Sequence, residues 1–197
     1  MNVRVVVLLL AIAVQPALAR EVDKNAEAAA AVRTTLLQSA GRGSNITSNN
    51  QQYQILMDVR AVEKNSQEEP EQTLARMGGG KLIETIGDLV VFAAAQEGVA
   101  SVASVNGTSY PTALNSATGG IGILPGTLNV KLKNMGHAAA IASDHGLEVV
   151  RVFAHLQTAF FRVKAGKDVV AAAAALSTDA RIISAEVEVI EHMNVPY

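Results

Sequence analysis

Glu186 and Glu188, with Glu191 three residues further on, are the ionisable groups of this 197-residue chain best spaced to act together. Residues two apart in a strand share a face, so the two carboxylates stand beside Ser184, Ile190 and His192, opposite Ile183, Ala185, Val187 and Val189. From the residues alone, such a row is either a solvated surface or a binding surface. Other chemistry finds little to work with. His137, His145, His155 and His192 have no metal-ligand spacing backed by a third ligand and read as surface or turn residues. Ser109, in Asn106-Gly-Thr-Ser109, would need a base and an orienting group to become a nucleophile. Pro111 follows within two residues, the surroundings are Gly-rich, and no His lies upstream. The chain has no Cys, which excludes thiolate catalysis, thiolate metal sites and disulfides. A net charge of -2 with mixed signs gives no basic stripe for phosphates, so nucleic acid is not expected as a partner. The expectation is a non-enzyme with no cofactor and no metal.

The carboxylates belong to the last strand of a periodic region, residues 127–197. Leu128, Val130 and Leu132 alternate with Asn129, Lys131 and Lys133, which predicts a strand. His137–His145 reads as a helix closing on Gly146, and Leu147–Phe153 and Thr158–Lys164 as strands. Asp168 caps an Ala-rich helix over Val169–Leu176, and Ile182–Ile190 is the final strand. The order β-α-β-β-α-β predicts an α+β fold of the split β-α-β or ferredoxin-like kind: an antiparallel sheet with both helices on one face and the other face open.

Upstream, residues 53–105 read as a second small α+β unit. Tyr53, Ile55, Met57 and Val59 alternate with polar residues. Glu68–Met77, with Pro70 in its first turn and Gly78-Gly79-Gly80 after it, is a helix, and Lys81–Ile86 with Leu89–Ala95 forms a hairpin. Gln96–Val105 reads as a weak helix. The two units share element order and local texture, which fits either a degenerate tandem repeat or the resemblance any two such units bear; the first copy lacks a recognisable fourth strand. Residues 106–126, rich in Gly, Ser, Thr, Asn and Pro, read as a linker. Residues 20–52 read as a short helix from Asp23 to Ser39 followed by a flexible polar linker, Gly41–Gln52. Asn45-Ile-Thr47 and Asn106-Gly-Thr108 match the glycosylation sequon.

Residues 1–19 have the layout of a signal peptide: Arg4, the apolar run Val5–Val14 and the small-residue signature Ala17-Leu18-Ala19. The apolar run is shorter than the roughly 20 residues that span a bilayer, so an exported protein, periplasmic or secreted, without a membrane span after signal removal is expected.

Residues 127–197 resemble the propeptide domain of subtilisin-like serine proteases, which also occurs as stand-alone inhibitors of the proteinase inhibitor I9 family. The likeness rests on Leu128-Asn-Val-Lys-Leu-Lys133, the Ala-rich helix ending in His145-Gly146, Leu176-Ser-Thr-Asp-Ala-Arg-Ile-Ile-Ser-Ala-Glu186, and the ending Glu191-His-Met-Asn-Val-Pro-Tyr197. The resemblance implies that the open sheet face packs on two surface helices of a subtilisin-like protease. The residues after the last strand would then run through the substrate cleft, with Tyr197 in the S1 pocket, Pro196 and Val195 in the next two, and Asn194 in S4. An added strand supplies main-chain hydrogen bonds and one buried aromatic anchor supplies a hot spot. Family acids near this strand cap the protease helices, as carboxylates at helix N-termini do. Glu191 matches one such position, Val189 stands at its partner, and Glu186 and Glu188 take the role in a shifted register. The role implied is inhibitor or intramolecular folding chaperone, in trans or as the pro-segment of a longer precursor cleaved after Tyr197. Asn106-Gly-Thr-Ser109 also resembles the surroundings of the nucleophilic serine in these proteases, where that serine opens a helix. A cell-envelope structural or interaction module is the alternative.

Overall fold

The computed structural model describes residue 27 and residues 30–94 and 109–191. The chain divides into two compact units, Met1–Gln38 and Ser39–Tyr197. The described residues of the first, 27 and 30–38, are helical; helix α1 covers residues 30–39, and in it Thr34 and Thr35 donate their hydroxyls to the carbonyls of Ala30 and Ala31, each at 2.9 Å. The expected signal segment, the expected helix start at Asp23, the expected helix Gln96–Val105 and the tail His192–Tyr197 lie outside the described residues.

The second unit is α+β, with two antiparallel sheets. It opens on a hairpin of β1 (Arg42–Ser48) and β2 (Gln51–Glu63), joined by a two-residue turn in which Asn49 and Asn50 have φ of 49° and 63°. Asn accepts this left-handed geometry and the turn matches the strand twist. Residues 42–48 therefore form a strand where the sequence suggested a linker. The reason is visible in burial: only Ile46 and Ser48 of β1 are buried, so the strand carries little apolar signal. In β2 the expected one-face set is also redistributed. Leu56 and Val59 are fully buried while Met57 is exposed, and the register against the neighbouring β5 (Ser109–Asn115) shifts between Leu56 and Arg60.

Helix α2 (Pro70–Arg76) begins as its sequence dictates. Pro70 needs no donor in the first turn, and a capping box joins Glu69 and Gln72, with the Glu69 N–H donating to Gln72 Oε1 at 3.1 Å. Gly78, Gly79 and Gly80 stop it, all at positive φ; a side chain on Gly80 would meet the Ala93 carbonyl. β3 (Lys81–Ile86) and β4 (Leu89–Ala93) form the expected hairpin. β5 and β6 (Ile121–Ile123) occupy what the sequence suggested was a linker. Their polar residues are buried with partners in distant strands: Thr112 Oγ1 donates to the Val59 carbonyl at 3.0 Å, and the Asn115 amide donates to Gln51 Oε1.

The C-terminal elements follow the expected order: β7 (Thr127–Leu132), a 3-10 turn Met135–His137, α3 (Ala138–Asp144), β8 (Glu148–Phe153), β9 (Thr158–Arg162), α4 (Val169–Ser177) and β10 (Ile182–Val187). Asp168 caps α4, its carboxylate accepting from the N–H groups of Val170 and Ala171 at 2.8 and 3.2 Å. The sheet order is β10-β7-β9-β8, all antiparallel. In the larger sheet β5-β2-β4-β3 are likewise all antiparallel. Numbered by position in their own motifs, residues 51–115 and 127–187, both sheets read fourth, first, third, second strand. β5 is the fourth strand that the sequence of the first motif does not announce.

The last expected strand, Ile182–Ile190, is two strands in two sheets. β10 ends at Val187, the Glu188 N–H still donates to the Thr127 carbonyl at 2.9 Å, and the chain then crosses to form β11 (Ile190–Glu191) against β6. Gly122 of β6 leaves room for Val189, whose side chain a Cβ there would overlap. Val189 thus packs on the larger sheet's edge rather than under the helices. Ile183, expected beside Ala185 and Val187, is 56% exposed because a register shift between Ile182 and Ser184 gives its place to Ile182. One apolar cluster runs from the helices over Leu128, Val130 and Phe161 to Ile46, Tyr53 and Leu124 of the larger sheet and its margins.

Candidate docking face of the C-terminal sheet

Strand alternation assigns the two faces of the sheet. Leu128, Val130, Leu132, Ala159 and Phe161 join the core with α3 and α4. Their neighbours therefore point to the face away from α3 and α4, which carries no helix among the described residues: Asn129 and Lys131 from β7, Phe160 from β9, Ser184 and Glu186 from β10, and Arg151 and Phe153 from β8, which register sets opposite Phe160 and Thr158. Phe153 meets Phe160 edge to face at 5.8 Å and His155 at 6.3 Å, and the Arg151 guanidinium lies 5.7 Å from the Phe153 ring centre. The face is aromatic and basic toward β8 and acidic toward β10. Sequence analysis missed Arg151, Phe153 and Phe160 as members, although the alternation of Thr158-Ala-Phe-Phe-Arg162 carried the signal.

Its acidic end meets the β1–β2 hairpin. The Asn49 N–H donates to Glu186 Oε2 at 3.1 Å, and two shallow clefts of about 210 and 300 Å³ lie beside that contact. The smaller is lined by Ser48, Asn49, Asn129, Phe160, Glu186, Val187 and Glu188; the larger includes Asn50, Lys131 and Ser184. No local sequence signal announces a hairpin wall from so far upstream.

The expected site residues separate. Glu186 and Glu188 line one cleft. Glu191 instead stands on β11, its Oε1 buried and without a hydrogen-bond partner within bonding distance among the described residues. Close by, the Tyr53 hydroxyl donates to Gln51 Oε1 at 3.1 Å, and its pKa is raised by burial and then by the negative charge of Glu191. Asn194, Val195, Pro196 and Tyr197 lie outside the described residues. Of the other candidates, Ser109 opens β5 opposite Val62, and His145 Nε2 lies 3.1 Å from Asp179 Oδ2. Asp179 also binds Arg181, which reaches Asp144 at 2.8 Å; this network ties the loops after α3 and α4 together. Its hydrogen bonds from Arg181, foremost, and from His145 hold the Asp179 carboxyl well below the usual range. Among the described residues there is no group of three or more metal-ligating side chains and no helix long and apolar enough to cross a membrane.

The family model described as Open reading frame 2 N-terminal domain matches residues 24–196, and the chain belongs to that family. It is similar to a chain in the crystal structure of the Aeromonas sobria serine protease (ASP) and chaperone (ORF2) complex, with 23% identity, 47% of this chain and 95% of that chain covered, and a TM-score of 0.38. At that score the likeness establishes neither fold nor function. No curated protein matches the chain.

Proposed function

We propose that this member of the Open reading frame 2 N-terminal domain family is a non-catalytic partner of a serine protease, an exported chaperone that also blocks the enzyme it helps to fold. The solved complex pairs a serine protease with a chaperone called ORF2, a designation the family shares. The observation that carries the reading is the helix-free face itself. In the first motif the face away from α2 holds Val59, Ala61 and Val91, all with no exposed surface; in the second the corresponding face is half-exposed and bears aromatic, amide and charged side chains. A sheet that presents Phe153, Phe160, Arg151 and Glu186 rather than burying them is built to be covered by a partner.

In this reading residues 127–187 are a ferredoxin-like module and residues 51–115 its degenerate copy, retained as a scaffold. The enzyme is subtilisin-like, its surface helices lie on the open face, and Glu186 and Glu188 belong to the contact. The tail from His192 leaves β11 and fills the substrate cleft, with Tyr197 in S1. A chaperone that binds the native protease stabilises it by mass action, and gradual cleavage of the tail makes the block temporary.

The test titrates a subtilisin with the chain lacking residues 1–19 and with the same chain further shortened by Asn194–Tyr197. Inhibition by the longer chain and its loss on shortening are expected. Absence of inhibition by both at ~10 μM overturns the reading for that enzyme and favours an interaction module of another kind.

A further inference from the structure

We infer that the cleft between the β1–β2 hairpin and β10 is a socket for one basic side chain of the docking partner, a guanidinium in preference to an ammonium. Its lining contains two carboxylates, Glu186 and Glu188, and no cation. Neither carboxylate has an ion-pair partner among the described residues. Glu186 uses Oε2 to accept from Asn49 N–H, a bond that holds the side chain against the hairpin and leaves Oε1 for a second donor. The Phe160 ring forms another wall, and the Asn129 and Asn49 amides add neutral acceptors. Two carboxylates beside an aromatic ring suit a planar fork with several N–H donors and a delocalised charge better than a compact, strongly hydrated ammonium. At about 210 Å³ the cleft falls below the ~300–1,000 Å³ of small-molecule sites, which fits a single inserted side chain. The adjoining cleft shares Glu186 but sets Lys131 beside it, so one carboxylate there faces one ammonium, whereas this cleft has two carboxylates and no cation in its lining. The turn at Asn49-Asn50 fixes the outer wall, making the hairpin a specificity element of the docking face.

The identity of the occupant rests on the docking reading; the chemistry of the socket does not. The test is a 1H–15N NMR titration of the chain lacking residues 1–19 with N-acetyl-arginine amide, N-acetyl-lysine amide and N-acetyl-leucine amide. The arginine probe is expected to shift the amides of Asn49, Phe160, Glu186 and Glu188 with a Kd of ~1–50 mM, the lysine probe severalfold more weakly, and the leucine probe not at all. The E186Q/E188Q chain, checked for an unchanged melting curve, should lose the response, and F160L should weaken it severalfold. Equal shifts from the leucine probe, or an arginine response that survives E186Q/E188Q, overturn the socket. An intact, Glu-dependent arginine response in a chain that inhibits no subtilisin supports the socket and sinks the protease assignment alone.

Discussion

The two motifs, residues 51–115 and 127–187, share one strand order and differ in what they do with the face turned away from α2 in the first and from α3 and α4 in the second. In the first, Val59, Ala61 and Val91 are completely buried on that face. In the second, Asn129, Lys131, Phe160 and Glu186 keep the corresponding face half-exposed. Strand order is set by backbone pairing, which tolerates almost any side chain, whereas the fate of a face is set by every second residue. One topology therefore yields a closed apolar face from one alternation pattern and a half-exposed polar and aromatic face from another.

Four experiments break or sharpen this contrast. The largest effect is expected from Val91→Asp, which strands an unpaired charge on the closed face and should cost ~4 kcal/mol or more, whereas Lys131→Asp on the open face should stay within ~0.5 kcal/mol. Urea unfolding of both variants checks this; equal costs would erase the distinction. Gly122→Ala should destabilise by ~1–3 kcal/mol, because the new methyl group overlaps Val189 where the chain crosses between sheets. Limited proteolysis should then cut faster around Glu191, and an unchanged digestion pattern would mean that β11 is not held by this contact. Removing the α4 cap with Asp168→Ala should cost ~1 kcal/mol, read as a lowered melting temperature, since two N–H groups lose their acceptor.

The smallest effects concern acid, and they fall on one carboxylate in each motif. Hydrogen bonds from Arg76, foremost, and from the Asn65 N–H lower Glu68 from 4.5 to about 2. Asp179 is held further below its ordinary 3.8, as described. In both, the folded pKa lies under the unfolded one, so the stabilisation is present above the unfolded value and disappears as pH falls through the folded value. For Glu68 the window runs from pH 4.5 to about 2; for Asp179 it begins near pH 3.8 and reaches lower. Glu68→Gln and Asp179→Asn should each flatten the acid limb of the stability curve within its own window. A curve parallel to that of the parent chain there would show that the ion pair contributes nothing.

Local chemistry was legible without the fold. Pro70 with Gly78-Gly79-Gly80 delimited α2, Asp168 and Gly146 marked helix ends, and the alternation of Leu128, Val130 and Leu132 placed a strand with one face toward the helices. These signals depend on neighbours within one turn or one pleat, so the sequence alone determined the β-α-β-β-α-β order of residues 127–187. Tertiary structure decided the rest. β5 was hidden because its buried Thr112 and Asn115 find their partners 53 and 64 residues away. The split of Ile182–Glu191 into two sheets was hidden because the period-two pattern does not change when a strand changes partner. Asn49 came to close over Glu186 across 137 residues of sequence. Polar pairing at such separations leaves no periodic trace along a chain, and so the cleft beside Glu186 exists only in the folded protein.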